Sequence, residues 1–286
     1  MSKAVIAIVC DFDETLGPDT ISFLIAQNNI SYDEFWSEVY ARVKDGFDPP
    51  LAYMQLLMEY ARKGKIDLSQ KTLRALGAKL PLFPGLPKAF AELKSFVKKE
   101  PRLKKLDISL ETYIISGGLE DLILGTAIAD KVDGLFASSF AYEAKTKNPT
   151  GIKTAISFTE KTRYLFGINK GISVSELRRD PYEINKVVLP KNRRIPFGQM
   201  IYIGDGPSDI PCLSTISQFG GVGIGVVAPK GSFKRGYELA RGRRITVGPY
   251  SANYKPDSDM RRVLEETILH LGLEIDINRK KKAPRA

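Results

Sequence analysis

Short apolar runs rich in β-branched residues recur along the chain, and segments with helical periodicity separate them. The runs are Val5–Cys10, Thr112–Ser116, Met200–Gly204 and Val222–Val227. The first is apolar at consecutive positions, which is typical of a strand buried on both faces of a parallel sheet. Helical patterns between the runs include Pro87–Lys99, Leu119–Ala129 and Thr162–Phe166. This alternation predicts an α/β protein with a doubly wound, Rossmann-like parallel sheet.

One stretch, residues 18–82, contains helical patterns only. They cover Ile21–Gln27, Asp33–Lys44, Leu51–Arg62 and Gln70–Leu80. Proline, glycine and serine residues between them act as breaks or caps. We predict a helical cap domain at 18–82, inserted after the first strand of a catalytic core formed by 1–17 and 83–272. The alternative is a set of extra helices on one face of the sheet.

Composition adds little to this picture. The hydrophobic fraction of 43% and the mean hydropathy of -0.16 are those of an ordinary globular protein. The balance of 43 Lys+Arg against 33 Asp+Glu gives a net charge of +10, and five of the cations lie in 273–286. We interpret 273–286 as a solvated basic C-terminal tail, with a nucleic-acid arm as the alternative. Such a charge attracts anions of any kind, so it favours no particular partner.

Several classes of protein are disfavoured. No apolar run reaches the roughly 20 residues of a membrane-spanning helix, and the apolar start lacks a signal-peptide cleavage site. We therefore expect a cytoplasmic protein with no membrane partner. The two cysteines, Cys10 and Cys212, form no Cys-x-x-Cys motif. The single histidine, His270, lies in a late helical pattern where nothing would orient it, which favours a surface position and excludes histidine-based phosphatases.

Two acidic clusters directly follow predicted strands, at Asp11–Thr15 and Gly204–Asp209. Ligands bind beyond the carboxyl ends of the strands in a doubly wound sheet. Two carboxylates two residues apart, as at Asp11 and Asp13, can divide the work of nucleophile and general acid–base. Their mutual repulsion requires a nearby cation. Asp11 and Asp205 offer the oxygen ligands that Mg²⁺ prefers, so a magnesium site is predicted there.

A hydroxyl and two glycines close another predicted strand, at Ser116-Gly117-Gly118. A hydroxyl with backbone amides at a helix start forms a phosphate cradle; a simple Ser N-cap explains the same residues. Lys161 precedes a further helical pattern and could neutralise charge on a phosphoryl group and on Asp11. Neither feature is specific alone. Together with the acidic clusters they indicate phosphoryl chemistry.

The four segments, in this order, resemble the four signature motifs of the haloacid dehalogenase-like (HAD) hydrolase superfamily, above all its phosphoserine-phosphatase-like branch. The motifs are matched by Asp11–Thr15, Ile114–Gly118, Lys161 with its helix, and Gly204–Asp209. The likeness covers approximately residues 3–16 and 83–245, and the helical cap falls where the family inserts one. The resemblance implies a Mg²⁺-dependent phosphomonoester hydrolase that acts on a small phosphorylated metabolite through an aspartyl-phosphate.

The resemblance also implies a role for each matched residue. Asp11 would be the nucleophile and a Mg²⁺ ligand. Asp13 would be the acid and base, and would bind Mg²⁺ through its backbone carbonyl. Ser116 and the Gly117 amide would hold phosphoryl oxygens, and Lys161 would bridge the nucleophile and the phosphate. The second aspartate of the first motif, Asp13, implies a phosphatase and not a dehalogenase.

The fourth motif completes the implied metal site. Asp205 would be a metal ligand, and Asp209 would hold metal-bound water. Ser208 stands where the family usually has Asn. The acidic residue that phosphoserine phosphatases carry after their first motif would fall at Thr20, with Asp19 adjacent but out of register. The resemblance therefore implies phosphatase chemistry without implying phosphoserine as the substrate.

Two other functions remain as alternatives. A phosphotransferase would use the same aspartyl-phosphate and pass the phosphoryl group to an acceptor alcohol. A basic nucleic-acid-binding protein would carry base-contacting aromatic residues among its basic ones, and we see no such interleaving. The motifs favour hydrolysis, with a small-molecule phosphomonoester and no specific nucleic acid as the partner.

Overall fold

A computed structural model describes residues 3–282 of the protein, apart from the side chains of Arg235 and Lys282. Within it, seven strands form one sheet: β1 (Ala4–Cys10), β2 (Ile108–Leu119), β3 (Gly134–Tyr142), β4 (Pro149–Thr154), β5 (Met200–Gly204), β6 (Val222–Val227) and β7 (Val247–Ser251). Their order across the sheet is β4-β3-β2-β1-β5-β6-β7. Neighbouring strands are parallel, except that β3 and β4 are antiparallel. The predicted doubly wound sheet is confirmed.

The central strand, β1, pairs with β2 on one side and β5 on the other. Its side chains alternate between two apolar clusters, so that Ile8 and Val9, adjacent in sequence, belong to different clusters. Both faces of the sheet are therefore covered, which explains the continuous apolar run. Because β1 ends at Cys10, Asp11 lies at the middle of the carboxyl edge of the sheet.

Helices cover both faces of this sheet. They are α1 (Thr20–Gln27), α2 (Tyr32–Lys44), α3 (Pro49–Arg62), α4 (Gln70–Gly77), α5 (Lys88–Lys99), α6 (Pro101–Lys104), α7 (Glu120–Gly125), α8 (Glu160–Lys170), α9 (Val174–Arg179), α10 (Ile210–Gln218), α11 (Phe233–Arg241) and α12 (Asp259–Lys282). On one face, α5 and α12 bury Leu93 and Leu264. On the other, α8 and α10 bury Leu165 and Leu213. None of the helices formed by residues 3–282 is long and apolar enough to cross a membrane.

Helices α1–α4 lie within residues 18–82, the segment for which helices are predicted; we refer to 18–82 as the helical insertion. Leu24, Phe35 and Leu57, from α1, α2 and α3, are fully buried in a third apolar cluster. Leu119 and Phe140 of the sheet belong to the same cluster. The insertion therefore shares its apolar core with the sheet.

The last helix of the insertion, α4, contacts α7 backbone to backbone. A Cβ atom on Gly77 would lie 2.0 Å from the Leu122 carbonyl oxygen, and one on Gly125 would lie 2.1 Å from the Arg74 carbonyl oxygen. The Arg74 Nε atom also lies 2.9 Å from the buried carboxylate of Asp121. Only glycine permits such an approach at both positions, so α4 is fixed to the sheet side of the molecule.

Near the C-terminus, Val247–Ser251 pairs with β6 as the edge strand β7, although it contains the turn-forming pair Gly248-Pro249. The basic segment is not a tail from residue 273, because α12 continues to Lys282 and packs Ile275 on the core. The last four residues of the predicted tail, 283–286, lie outside the described residues. His270 is exposed on α12, which confirms its predicted surface position.

Candidate active site

The first acidic cluster begins where β1 ends. The Asp11 side chain is almost fully buried; its Oδ1 accepts the N–H of Phe12 at 2.7 Å, and its Oδ2 lies 2.7 Å from the ammonium of Lys161. Burial raises the pKa of Asp11 to about 7; Lys161 opposes this rise and Asp209 adds to it. The carboxylate of Asp11 therefore needs more positive charge than one ammonium supplies.

Lys161 lies in the first turn of α8 and is 1% exposed. Its Nζ bridges the carboxylates of Asp11 and Asp209, at 2.7 and 2.8 Å, and lies 3.4 Å from the Ser208 hydroxyl. Burial disfavours the ammonium, but the two carboxylates more than compensate, so the pKa of Lys161 is raised. Lys161 is a permanently charged group at the base of the site.

The second acidic cluster follows β5. Asp209 is fully buried and accepts hydrogen bonds from the Tyr202 hydroxyl at 2.8 Å and the Gly206 N–H at 3.3 Å. One carboxylate oxygen each of Asp11, Asp205 and Asp209 lie within 4.8 Å of one another. A cluster of oxygen donors with a deficit of positive charge fits a hard divalent cation such as Mg²⁺. Asp209 already has contacts with three donors, on Lys161, Tyr202 and Gly206.

Asp13, two residues beyond Asp11, is half-buried. Its Oδ1 accepts the backbone N–H of Thr20 at 2.8 Å. Burial raises the pKa of Asp13 well above its ordinary value, and the charges of Asp19 and Asp11 raise it further. A carboxyl group in this environment is suited to hold a proton.

The predicted phosphate cradle lies at the end of β2, directly before the start of α7. Ser116, Gly117 and Gly118 are among the last residues of β2, whose register with β3 shifts between Ser116 and Leu119. The fully buried Ser116 Oγ accepts the N–H of Gly118 at 2.9 Å, and the Gly117 carbonyl accepts the hydroxyl of Tyr53 at 2.6 Å. The irregular end of β2 and the start of α7 meet at this part of the site.

A cavity of about 240 Å³ lies between the carboxyl edge of the sheet and the helical insertion. Of the predicted site residues, those that line it are Asp11, Asp13, Gly117, Lys161 and Asp205. Ser116 and Asp209 are buried behind its wall. Glu14, a residue of the first motif with no predicted role, also lines the cavity, and Tyr53 and Phe158 line it from outside the motifs. Asp19, considered above only as out of register, also lines the cavity, whereas Thr20 does not.

Replacing Gly118 tests how Asp13 is placed. A Cβ atom at Gly118 would lie 2.6 Å from the Asp13 Oδ2 and 2.4 Å from the Thr20 Oγ1, so Gly118→Ala must displace the Asp13 carboxyl group. We expect a loss of activity of about 10²-fold or more, the scale of losing a general acid. Steady-state kinetics and far-UV circular dichroism would measure activity and folding.

The matched control is Gly151→Ala, because a Cβ atom at Gly151 meets nothing within 4 Å. It should retain full activity. Equal activity of the two variants would contradict the proposed placement of Asp13.

Two solved phosphatases are similar to the protein in fold. A phosphoserine phosphatase carrying an analogue of the phospho-aspartyl intermediate aligns with a TM-score of 0.53 at 16% identity, over 92% of this chain and 99% of its own. A probable phosphoserine phosphatase from Vibrio cholerae aligns with a TM-score of 0.53 at 15% identity, over 96% of this chain and 67% of its own. The chain thus shares the fold of these two phosphatases, which confirms the predicted fold.

Sequence comparison identifies a nearer relative. An uncharacterized protein of Borreliella burgdorferi is 31% identical over 229 residues, which are 74% of this chain and 79% of that protein. The chain belongs to the family of this Borreliella protein. No family model matches the chain.

Proposed function

We propose that the protein is a Mg²⁺-dependent phosphatase that passes through an aspartyl-phosphate on Asp11. The observation that carries this proposal is the arrangement at the base of the cavity. There, the buried ammonium of Lys161 lies against Asp11, and oxygen atoms of Asp205 and Asp209 lie close by. The HAD fold and the solved phosphoserine phosphatases support the same chemistry.

Four groups would hold the ion. Asp11 and Asp205 would bind it through their carboxylates, and Asp13 through its backbone carbonyl. Asp209 would hold a water molecule of the ion's shell. When bound, Mg²⁺ supplies positive charge that neutralises phosphoryl oxygens.

The chemistry itself would belong to the two aspartates. The Asp11 carboxylate attacks phosphorus and the bond to the leaving oxygen breaks, while Asp13 donates its proton to that oxygen. Asp13 then takes a proton from water, which attacks the phosphorus and releases phosphate from Asp11. The raised pKa of Asp13 suits both transfers.

Three further groups would hold the phosphoryl oxygens. Gly117 lines the cavity and would donate its amide, and Lys161 would bridge a phosphoryl oxygen and Asp11. The Ser116 hydroxyl uses a lone pair to accept the Gly118 N–H, so its own proton is available to donate. These donors would stabilise the charge that develops on the phosphoryl group.

Removal of the metal tests the proposal. EDTA should abolish hydrolysis of phosphomonoesters, Mg²⁺ should restore it, and Ca²⁺ should inhibit because it prefers more ligands and a looser shell. A panel of sugar phosphates, nucleotides and phosphoamino acids, assayed for released phosphate, would measure this. Full activity in metal-free protein would contradict the site assignment.

The thermal stability of the protein should report on the same metal site independently of enzyme activity. In metal-free protein the pKa of Asp11 is raised from 3.8 to about 7, so the folded state binds more protons than the unfolded state between these values. The contribution of Asp11 to the free energy of unfolding therefore falls as pH rises from about 4 to 7. Mg²⁺ displaces that proton, so the increase in Tm on adding Mg²⁺ should be larger at pH 8 than at pH 5. Asp11→Asn should lose most of this pH dependence; an unchanged dependence would contradict the role of Asp11.

A further inference from the structure

Tyr202 is a buried polar residue that the proposed chemistry does not use. It lies in the middle of β5 and is fully buried. Its hydroxyl donates to the Oδ1 of Asp209 at 2.8 Å. Tyr202 is not among the described residues that line the cavity, so it does not contact a substrate there. Any effect of Tyr202 on the reaction therefore passes through a neighbouring group, and Asp209 is the carboxylate to which its hydroxyl is bonded.

The backbone of β5 leaves space for this carboxylate. Residues 202 and 204 lie on the same face of the strand, because side chains alternate between the two faces. A Cβ atom on Gly204 would lie 2.4 Å from the Asp209 Cγ and 2.5 Å from its Oδ2, so only glycine permits this approach. Asp209 thus lies against Gly204, within reach of the Tyr202 hydroxyl, and is itself fully buried.

Two donors share one oxygen atom of Asp209. The Tyr202 hydroxyl and the Lys161 ammonium each lie 2.8 Å from Oδ1, while the N–H of Gly206 contacts Oδ2 at 3.3 Å. The same ammonium lies 2.7 Å from the Oδ2 of Asp11. A buried carboxylate that loses one donor still bears the cost of its desolvation, which favours movement toward the donors that remain. Without the hydroxyl, Asp209 would shift toward Lys161 and compete with Asp11 for its protons.

We propose that Tyr202 is a positioning residue of the metal site, which holds the Asp209 carboxylate where it can accept a water molecule of the Mg²⁺ shell. The inference rests on the metal site of the function proposed above. Residues that orient the groups around an ion are part of its site, and their loss typically weakens metal binding by about 10–100-fold. Tyr202→Phe removes the hydroxyl and keeps the ring, so it should weaken Mg²⁺ binding by about tenfold.

Metal binding is measured directly, without relying on turnover. Isothermal titration calorimetry with Mg²⁺ gives the dissociation constant of the substrate-free protein, and far-UV circular dichroism shows that each variant is folded at the temperature used. The dissociation constant of Tyr202→Phe should be about tenfold that of wild type. An equal or lower constant in the variant would overturn the inference.

Thr112→Val is the matched control for the loss of a buried hydroxyl. Thr112 is fully buried in β2, and its Oγ1 donates to the Oδ2 of Asp133 at 3.2 Å. Asp133 is outside the described lining of the cavity. Valine keeps the shape of the side chain, so Thr112→Val should bind Mg²⁺ as tightly as wild type. Equal weakening in Thr112→Val and Tyr202→Phe would indicate a general effect on packing and would overturn the role of Tyr202.

A double-variant cycle tests whether Tyr202 acts through Asp209. Asp209→Asn alone should weaken Mg²⁺ binding, because it removes the charge that attracts the hydrated ion. Adding Tyr202→Phe to Asp209→Asn should then change the dissociation constant by less than about twofold, since the hydroxyl has no carboxylate left to position. A further loss of about tenfold in the double variant would show that the two side chains act independently, and would overturn the inference.

Failure of this inference is distinguishable from failure of the proposed function. Wild-type protein that binds Mg²⁺ and hydrolyses nitrophenyl phosphate, with an unchanged dissociation constant in Tyr202→Phe, would refute the role of Tyr202 only. Wild-type protein that neither binds Mg²⁺ nor hydrolyses any phosphomonoester would refute the phosphatase proposal and the inference with it.

Discussion

The Asp11→Asn protein is expected to release phosphate from nitrophenyl phosphate at least about 10⁴-fold more slowly than wild type, because the amide can neither attack phosphorus nor neutralise a cation. The substitution keeps the shape of a side chain that is almost fully buried, so the fold should persist. Initial rates with Mg²⁺ in excess would measure the loss.

The matched variant is Asp13→Asn, which keeps the backbone carbonyl and removes the proton donor. Nitrophenolate leaves without needing a proton, so Asp11 should still be phosphorylated in Asp13→Asn. Dephosphorylation needs a base to activate water, so the phospho-enzyme should accumulate. Mass spectrometry of the intact protein after an acid quench should find one added phosphoryl group in Asp13→Asn and none in Asp11→Asn. Equal phosphorylation of the two would show that the nucleophile is another residue.

The second large effect concerns the stability of the fold. Lys161→Met fills the same space but leaves the buried carboxylates of Asp11 and Asp209 without their common cation. Breaking a buried ion pair in this way costs about 3–5 kcal/mol of the free energy of unfolding. Urea denaturation at pH 7 in EDTA would measure this loss, which should shrink at acidic pH as Asp11 becomes protonated.

A surface pair provides the control for this variant. Lys94 lies 2.7 Å from the carboxylate of Asp133, and both side chains are about a third exposed. Lys94→Met should therefore cost less than about 1 kcal/mol. Similar losses for Lys94→Met and Lys161→Met would contradict the structural role of the buried lysine. The double variant Lys161→Met with Asp209→Asn should recover part of the stability.

Most of the candidate site could be predicted because its residues follow strands. Asp11 and Asp205 come directly after β1 and β5, two neighbouring parallel strands, so their proximity follows from the sheet. Tyr53 and Phe158 carry no such signal. They reach the cavity from the helical insertion and from the segment before α8, and only the packing of those elements places them there.

Of the three described strands that the apolar runs do not predict, β4 and β7 were missed for the same physical reason. β4 is an edge strand with the sequence Pro-Thr-Gly-Ile-Lys-Thr, of which no residue is buried. β7, at the other edge, contains Gly248-Pro249. Edge strands need only one hydrogen-bonded partner and little apolar surface, so neither a continuous nor an alternating apolar pattern marks them. In α12, the many charged residues obscure the apolar periodicity of the helix. The sequence therefore does not reveal that Leu271 and Ile275 are buried in the core.

The close contact between α4 and α7 has a consequence for how substrate enters. At Gly77 and Gly125 the backbones of α4 and α7 are in direct contact, so no layer of side chains between the two helices allows one to slide past the other. The ion pair of Arg74 and Asp121 adds a further restraint. Any movement that admits substrate must therefore be confined to α1–α3, with its pivot before α4. In a hydrogen-exchange experiment, the amides of Gln70–Gly77 should exchange on the timescale of the sheet, while those of α1–α3 should slow on addition of a phosphate analogue.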